Sequence, residues 1–242
     1  MRIYGDTILC SQHRQLMIMS RLPNIVAPGI SHHVTQCGNR RQKVFHNDEA
    51  YVVYLDLLAE RCRHSGVSVW SHCLMPNHVH LIMVPPTADG LSRAVGEAHR
   101  RYTAYINARE RVTGHLFQGR FNSVAMDEAH LFSAWRYVAM NPVEAHRVAK
   151  AADWPWFSVR AHLMDRDDSL VSVAPVRERI PDFATFLESE SGPEMTGRLL
   201  SGQTIGRPLM PDDQLDALER SLGRRLRPLP RGPRWTNNVR EH

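Results

Sequence analysis

The sequence predicts an α+β fold: a ferredoxin-like split βαβ antiparallel sheet with helices on one face, followed by an irregular and helical C-terminal extension. Short runs rich in β-branched and aromatic residues recur four times between residues 31 and 125. Stretches with apolar residues at steps of three and four separate them, and another follows the last. The resulting order is strand, helix, strand, strand, helix, strand, helix. It makes two βαβ-like halves joined by a hairpin and leaves the second sheet face free to carry a site.

Each element has its own signal. Ser31-His32-His33-Val34-Thr35-Gln36 has strand character and is closed by the turn signal Cys37-Gly38-Asn39, after which Arg40, Arg41 and Lys43 form a basic loop. A helix opens at Asn47 or Asp48, runs through Tyr51, Leu55, Leu58 and Cys62 on one face, and stops at Ser65-Gly66. Val67 to Leu74 reads as a second strand, and Met75-Pro76-Asn77 turns tightly into a third, which Pro85-Pro86 ends. The second helix spans about Gly90 to Arg109 with the stripe Leu91, Val95, Ala98, Tyr102 and Tyr105. After a Gly-containing loop, Phe121 to Ala125 forms the fourth strand. Asp127 then caps a third helix carrying Leu131, Ala134, Trp135 and Val138, with Pro142 marking its end.

The chain has 242 residues, a net charge of +5 and a pI of about 9.3. That length accommodates one well-packed domain plus an appendage. The basic charge is almost all arginine, since Lys43 and Lys150 are the only lysines, and arginine pairs with phosphate bidentately and stacks on bases. Such a balance is compatible with a nucleic-acid partner. The four cysteines have neither CxxC nor zinc-finger spacing and read as reduced thiols of a cytoplasmic protein. No run approaches eighteen apolar residues, so no membrane span is expected. Residues 1–18 are expected to be an N-terminal extension, because Met19-Ser20-Arg21-Leu22-Pro23 reads as a natural start. The domain then covers 19–165 and the extension 166–242. Within the extension a short helix at Asp212 to Leu222, ended by Gly223, leads into a Pro- and Arg-rich tail.

Chemistry is concentrated in Pro76-Asn77-His78-Val79-His80-Leu81. Side chains at i and i+2 of a strand share a face, so His78 and His80 stand side by side as half of a divalent-metal site. Two surface histidines on a half-exposed strand are the bland alternative. Some sixty residues later Tyr137 and Asn141 lie one helical turn apart. A tyrosine anchored in the core is the alternative there. If this helix faces the imidazoles, two nitrogens and an amide oxygen could hold a cation beside a phenol able to attack phosphorus. The sequence offers no strongly placed base for that phenol.

The motifs Met75-Pro76-Asn77-His78-Val79-His80, Gly114-His115-Leu116-Phe117-Gln118-Gly119-Arg120-Phe121 and Arg136-Tyr137-Val138-Ala139-Met140-Asn141-Pro142-Val143 occur in that order. Over about residues 20 to 165 they resemble the HUH single-tyrosine transposases, and among these the REP-associated tyrosine transposases. The resemblance implies the HUH nuclease fold, with His78, His80 and Asn141 as ligands of Mg²⁺ or Mn²⁺. It implies Tyr137 as the nucleophile that cuts single-stranded DNA and keeps a 5′-phosphotyrosine bond, which a 3′-hydroxyl later reseals. The implied partner is a DNA hairpin of the repeated extragenic palindrome type, bound by a monomer or a dimer. Asn39, Arg40 and Arg41 occupy the place of tag contact, with Arg100, Arg101, Gln118, Arg120 and Arg136 as further DNA-binding candidates. Cys37 departs from the family, standing where an arginine or another polar residue is commoner.

Two other readings remain. One is a catalytically idle hairpin-binding protein with the same fold. The other is a zinc hydrolase, disfavoured because no HExxH motif or convincingly spaced third histidine is present.

Overall fold

The computed structural model describes residues 24–189 and 206–227. The expected 1–18 extension and the tail after Arg227 lie outside them. The chain forms β1 (His32–Cys37), α1 (Asp48–Ser65), β2 (Ser68–Met75), β3 (His78–Val84), α2 (Glu97–Glu110), β4 (Asn122–Ala125) and α3 (Glu128–Glu144). The sheet order is β2-β3-β1-β4, with every pairing antiparallel. This is the split βαβ arrangement the element order predicts.

Local chemistry explains the boundaries. The Asn47 side chain accepts from the Ala50 amide at 3.0 Å and starts α1, while Gly66, in the left-handed region at φ 66°, ends it. Asp127 starts α3 by accepting from the His130 amide at 2.8 Å. The helical run before α2 contains a π-helical segment, Ser92–Gly96, and its inward stripe closes on Ile106, while Tyr105 is only half-buried. Pro142 does not end α3, contrary to expectation, and the helix continues to Glu144. A proline near the last turn sacrifices one amide bond, and the Ala145 amide still reaches the Asn141 carbonyl at 3.0 Å.

Strand alternation divides the molecule into two cores. Val34 and Val79, Leu81 and Met83 face α1 and α2, meeting Leu58, Tyr102 and Val95. Tyr54 belongs to this core, and its hydroxyl has a polar companion that the sequence did not reveal, His99 Nε2 at 2.9 Å. The opposite face presents Cys73, Met75 and Ile82 to Leu131, Trp135 and Val138 of α3. That face is therefore shared with a helix rather than bare. Its apolar residues require cover, each Leu-sized side chain gaining about 1.5–3 kcal/mol from burial.

Beyond residue 158 come α4 (Val159–Leu163), α5 (Ala174–Arg179), α6 (Phe183–Glu188) and α7 (Asp212–Leu222). Val171 and Val173 join the first core, and Val176, Ile180 and Phe183 the second. Ahead of α7, the Leu209 amide donates to Ala125 and its carbonyl accepts from Asp127, which seams this segment to the β4 edge. Leu218 and Leu226 pack there with Ile25 and Ala27. None of the described helices is long and apolar enough to cross a membrane.

Candidate active site

The site is assembled where β3, β1 and α3 meet. His78 and His80 share one face of β3, with ring centroids 4.9 Å apart and planes at 90°. Across the sheet, His78 is opposite Cys37 on one side and Met75 on the other, while His80 is opposite Thr35 and Cys73. His80 is wholly buried. α3 crosses this face and brings Tyr137 edge-on to His80, with centroids 5.4 Å apart at 87°. One turn on, the Asn141 amide nitrogen lies 3.4 Å from His80 Nε2, a long hydrogen bond. All four site residues named from the sequence are thus gathered in one place.

Burial governs the electrostatics. Desolvation pushes the His80 pKa well below its ordinary value, reinforced by the adjacent His78 and His33 imidazoles. His80 is therefore neutral at physiological pH, the state in which an imidazole can ligate a metal. The Tyr137 phenol is raised well above 10, chiefly by desolvation, with Glu144, Cys37 and Cys73 adding to it and the Asn141 hydrogen bond opposing it. The phenol of the free protein is consequently protonated.

His33 is a site residue that the sequence reading misses. Its Nε2 lies 3.1 Å from His80 Nδ1, the two rings stack at 5.2 Å, and Tyr137 sits edge-on to it at 6.1 Å. The signal that could have found it is strand alternation: in Ser31-His32-His33-Val34, the inward Val34 fixes His33 on the other face, with His80. His78 is oriented by Asn77, whose Oδ1 is 2.7 Å from its Nδ1.

The donor set suits a divalent cation with open positions. It offers two imidazoles and one amide, which leaves room for water and phosphate oxygens. Among the described residues no group of three His, Cys, Asp or Glu side chains could hold a metal, so a cation bound here would need the Asn141 amide as its third protein donor.

The DNA-binding candidates fall into three groups. Asn39, Arg40 and Arg41 form a 3₁₀ turn directly after β1. The Gly38 amide donates to the Asn77 carbonyl at 2.8 Å, which ties this turn to the residue preceding His78. A Cβ on Gly38 would lie 2.2 Å from the Gln42 carbonyl oxygen, so only glycine allows the chain to fold back here. Arg40 and Arg41 are exposed and take left-handed φ of 51° and 63°, each costing on the order of 1–3 kcal/mol. Gln118 and Arg120 come to the same end: the Gln118 amide donates to Cys37 at 2.9 Å, and Leu116 accepts from Asn39. No ion-pair partner is found for Arg40, Arg41 or Arg120 among the described residues.

Arg100 and Arg101 lie instead in α2, on the helix layer behind the sheet. Arg100 grips Glu97 through two bonds of 2.9 and 2.7 Å, and Arg101 bridges Glu97 and Glu60. Arg136 points to the far end of α3, where its Nη1 donates to the Phe186 and Leu187 carbonyls at 2.8 and 2.9 Å and caps α6. None of these three is brought to the histidines.

The paired-imidazole strand at the centre of this sheet, faced by a helix-borne tyrosine, is the feature on which the resemblance to the HUH single-tyrosine transposases rests. Residues 27–141 match the family model described as IS200-like transposase. A solved REP-associated tyrosine transposase bound to a REP hairpin is similar in fold, at 19% identity and a TM-score of 0.53, covering 64% of this chain and 92% of that one. A Deinococcus radiodurans protein assigned as a transposase matches at 19% identity and a TM-score of 0.36, over 50% of this chain and 95% of its own. No curated protein matches the chain.

Proposed function

We propose that the chain is a metal-dependent single-stranded DNA endonuclease and strand-transferase, working at DNA hairpins through a 5′-phosphotyrosine on Tyr137. The observation that carries this reading is the approach of Tyr137 to His80, 5.4 Å between rings, with the Asn141 amide at the His80 nitrogen. His78, His80 and Asn141 would hold Mg²⁺ or Mn²⁺. When bound, such an ion neutralises charge developing on a phosphate and eases loss of the phenol proton. Tyr137 Oη attacks phosphorus, the P–O3′ bond breaks, the phenol gives up its proton and the departing 3′ oxygen takes one up. One phosphodiester is exchanged for another, so a second 3′-hydroxyl can reverse the step and seal a new junction.

Burial keeps the phenol protonated in the free protein, which confines reaction to a site loaded with both DNA and ion. The Asn39–Arg41 turn, whose Arg40 and Arg41 are exposed, supplies with Gln118 and Arg120 charge and amide groups at the His78 end for a single strand entering there. The hairpin-bound relative supports a hairpin as the substrate class. Such a substrate places the work on chromosomal DNA in the cytoplasm.

The test uses end-labelled hairpin oligonucleotides with single-stranded flanks, Mn²⁺ or Mg²⁺, and denaturing electrophoresis. The expected product is a denaturant-resistant protein–DNA adduct that Tyr137→Phe abolishes, with hairpin affinity kept within a few-fold. Hairpin binding with no adduct under any ion favours the catalytically idle reading, and an adduct formed by the Phe variant refutes the nucleophile.

A further inference from the structure

We propose that His33 is a positioning residue that fixes the tautomer and ring orientation of His80, leaving His80 Nε2 free to bind a divalent cation. This role rests on the metal-dependent reading of the site proposed above. Three side chains form one directional chain: the Asn141 amide nitrogen at 3.4 Å from His80 Nε2, and His80 Nδ1 at 3.1 Å from His33 Nε2.

With the Asn141 amide nitrogen, rather than its oxygen, turned toward His80, the proton count permits one arrangement. An Asn amide nitrogen only donates, so His80 Nε2 accepts and carries no proton. A neutral imidazole with a bare Nε2 bears its proton on Nδ1, which therefore donates to His33 Nε2. His33 in turn must keep Nε2 bare and hold its own proton on Nδ1. The tautomer so selected exposes a lone pair at the nitrogen beside Asn141 and Tyr137. Turning the Asn141 amide by half a rotation would then present its oxygen to the same ion.

Position supports the same role. His33 and His80 both have zero exposure, and their rings stack at 5.2 Å, so His80 cannot rotate without displacing His33. His33 also meets the Tyr137 ring at 6.1 Å, so one imidazole braces both the ligand and the nucleophile. Partners that orient ligating imidazoles commonly carry a 10- to 100-fold share of metal affinity.

The experiment compares the full chain with His33→Gln, His33→Leu and His80→Ala. Gln places an acceptor oxygen near the lost Nε2, whereas Leu fills the space without one. Long-range ¹H–¹⁵N NMR of the metal-free protein reads the His80 tautomer, and Mn²⁺ affinity is measured by electron paramagnetic resonance. The expected wild-type signal is Nδ1–H on His80, retained in His33→Gln and lost or mixed in His33→Leu. Mn²⁺ affinity should fall about 10- to 100-fold in His33→Leu and recover most of that loss in His33→Gln. An Nε2–H tautomer in the wild type overturns the proposal by itself, even if His33→Leu fails to fold. Equal Mn²⁺ affinity in wild type and His33→Leu overturns the role of His33 while leaving the metal site standing. A wild type that binds Mn²⁺ no better than His80→Ala overturns both.

Discussion

Asn141 and His80, sixty-one residues apart in sequence, are joined by a 3.4 Å contact between the amide nitrogen and Nε2. The contact locks α3 to β3 at the point where a phenol, two imidazoles and an amide converge. Pro142 follows Asn141 directly yet leaves the helix intact, so the amide is held on a helical turn rather than on a frayed end.

His78→Ala and His80→Ala should each abolish adduct formation, and a chelator should reproduce the loss in the wild type. With two nitrogen donors, the site should sustain cleavage at lower Mn²⁺ than Mg²⁺ concentration, because imidazole favours the softer ion. A titration of cleavage rate against each metal measures this. Full activity of either variant would remove the paired imidazoles from the mechanism.

Arg40 and Arg41 should set the salt dependence of hairpin binding. Each phosphate that is no longer neutralised lowers the slope of log affinity against log salt by roughly 0.7–0.9. Fluorescence anisotropy of the Arg40→Ala, Arg41→Ala double variant over a range of KCl concentrations reads it. An unchanged slope would mean that this strained turn touches no phosphate.

Arg136 should matter for stability, not for DNA. Its guanidinium bonds to Phe186 and Leu187 hold α6 against α3, and charged donors to carbonyls are worth about 1.5–3 kcal/mol. Arg136→Ala should lower the melting temperature by several degrees and leave hairpin affinity within two-fold. A ten-fold loss of affinity in a fully folded variant would return Arg136 to the DNA interface.

Acid should unfold the protein. Burial lowers the pKa of His32, His72 and His162 from 6.5 to about 4 and of His99 to about 3. The unfolded chain therefore binds more protons than the native one below pH 6.5, and stability falls as pH drops. Each imidazole costs up to about 1.4 kcal/mol per pH unit across that window, and four together rival the roughly 5–15 kcal/mol stability of an ordinary domain. Circular dichroism should report cooperative unfolding between about pH 6 and 4, steeper than carboxylate protonation alone explains. A fold stable and unchanged at pH 4 would contradict it.

Much of the architecture is legible in the linear chain. Asn47, Gly66 and Asp127 announce helix ends through chemistry confined to a few neighbouring residues, and each acts there as expected. Period-two alternation puts His78 beside His80, and period-3.6 spacing puts Tyr137 above Asn141, because both are properties of a single element. Arginine roles are not legible in the same way. Arg100, Arg101 and Arg136 read like Arg40 as loose basic groups, yet packing commits the first three to Glu97 and to the end of α6.

The order of strands and helices, the imidazole pair, and the tyrosine with its amide one turn away are all written in the linear chain. Folding in three dimensions was needed to lay α3 across the second sheet face, to stand His33 behind His80 and to bring Tyr54 to His99. Local backbone geometry repeats with a period a reader can count, whereas contacts between distant segments depend on which apolar faces must be covered together.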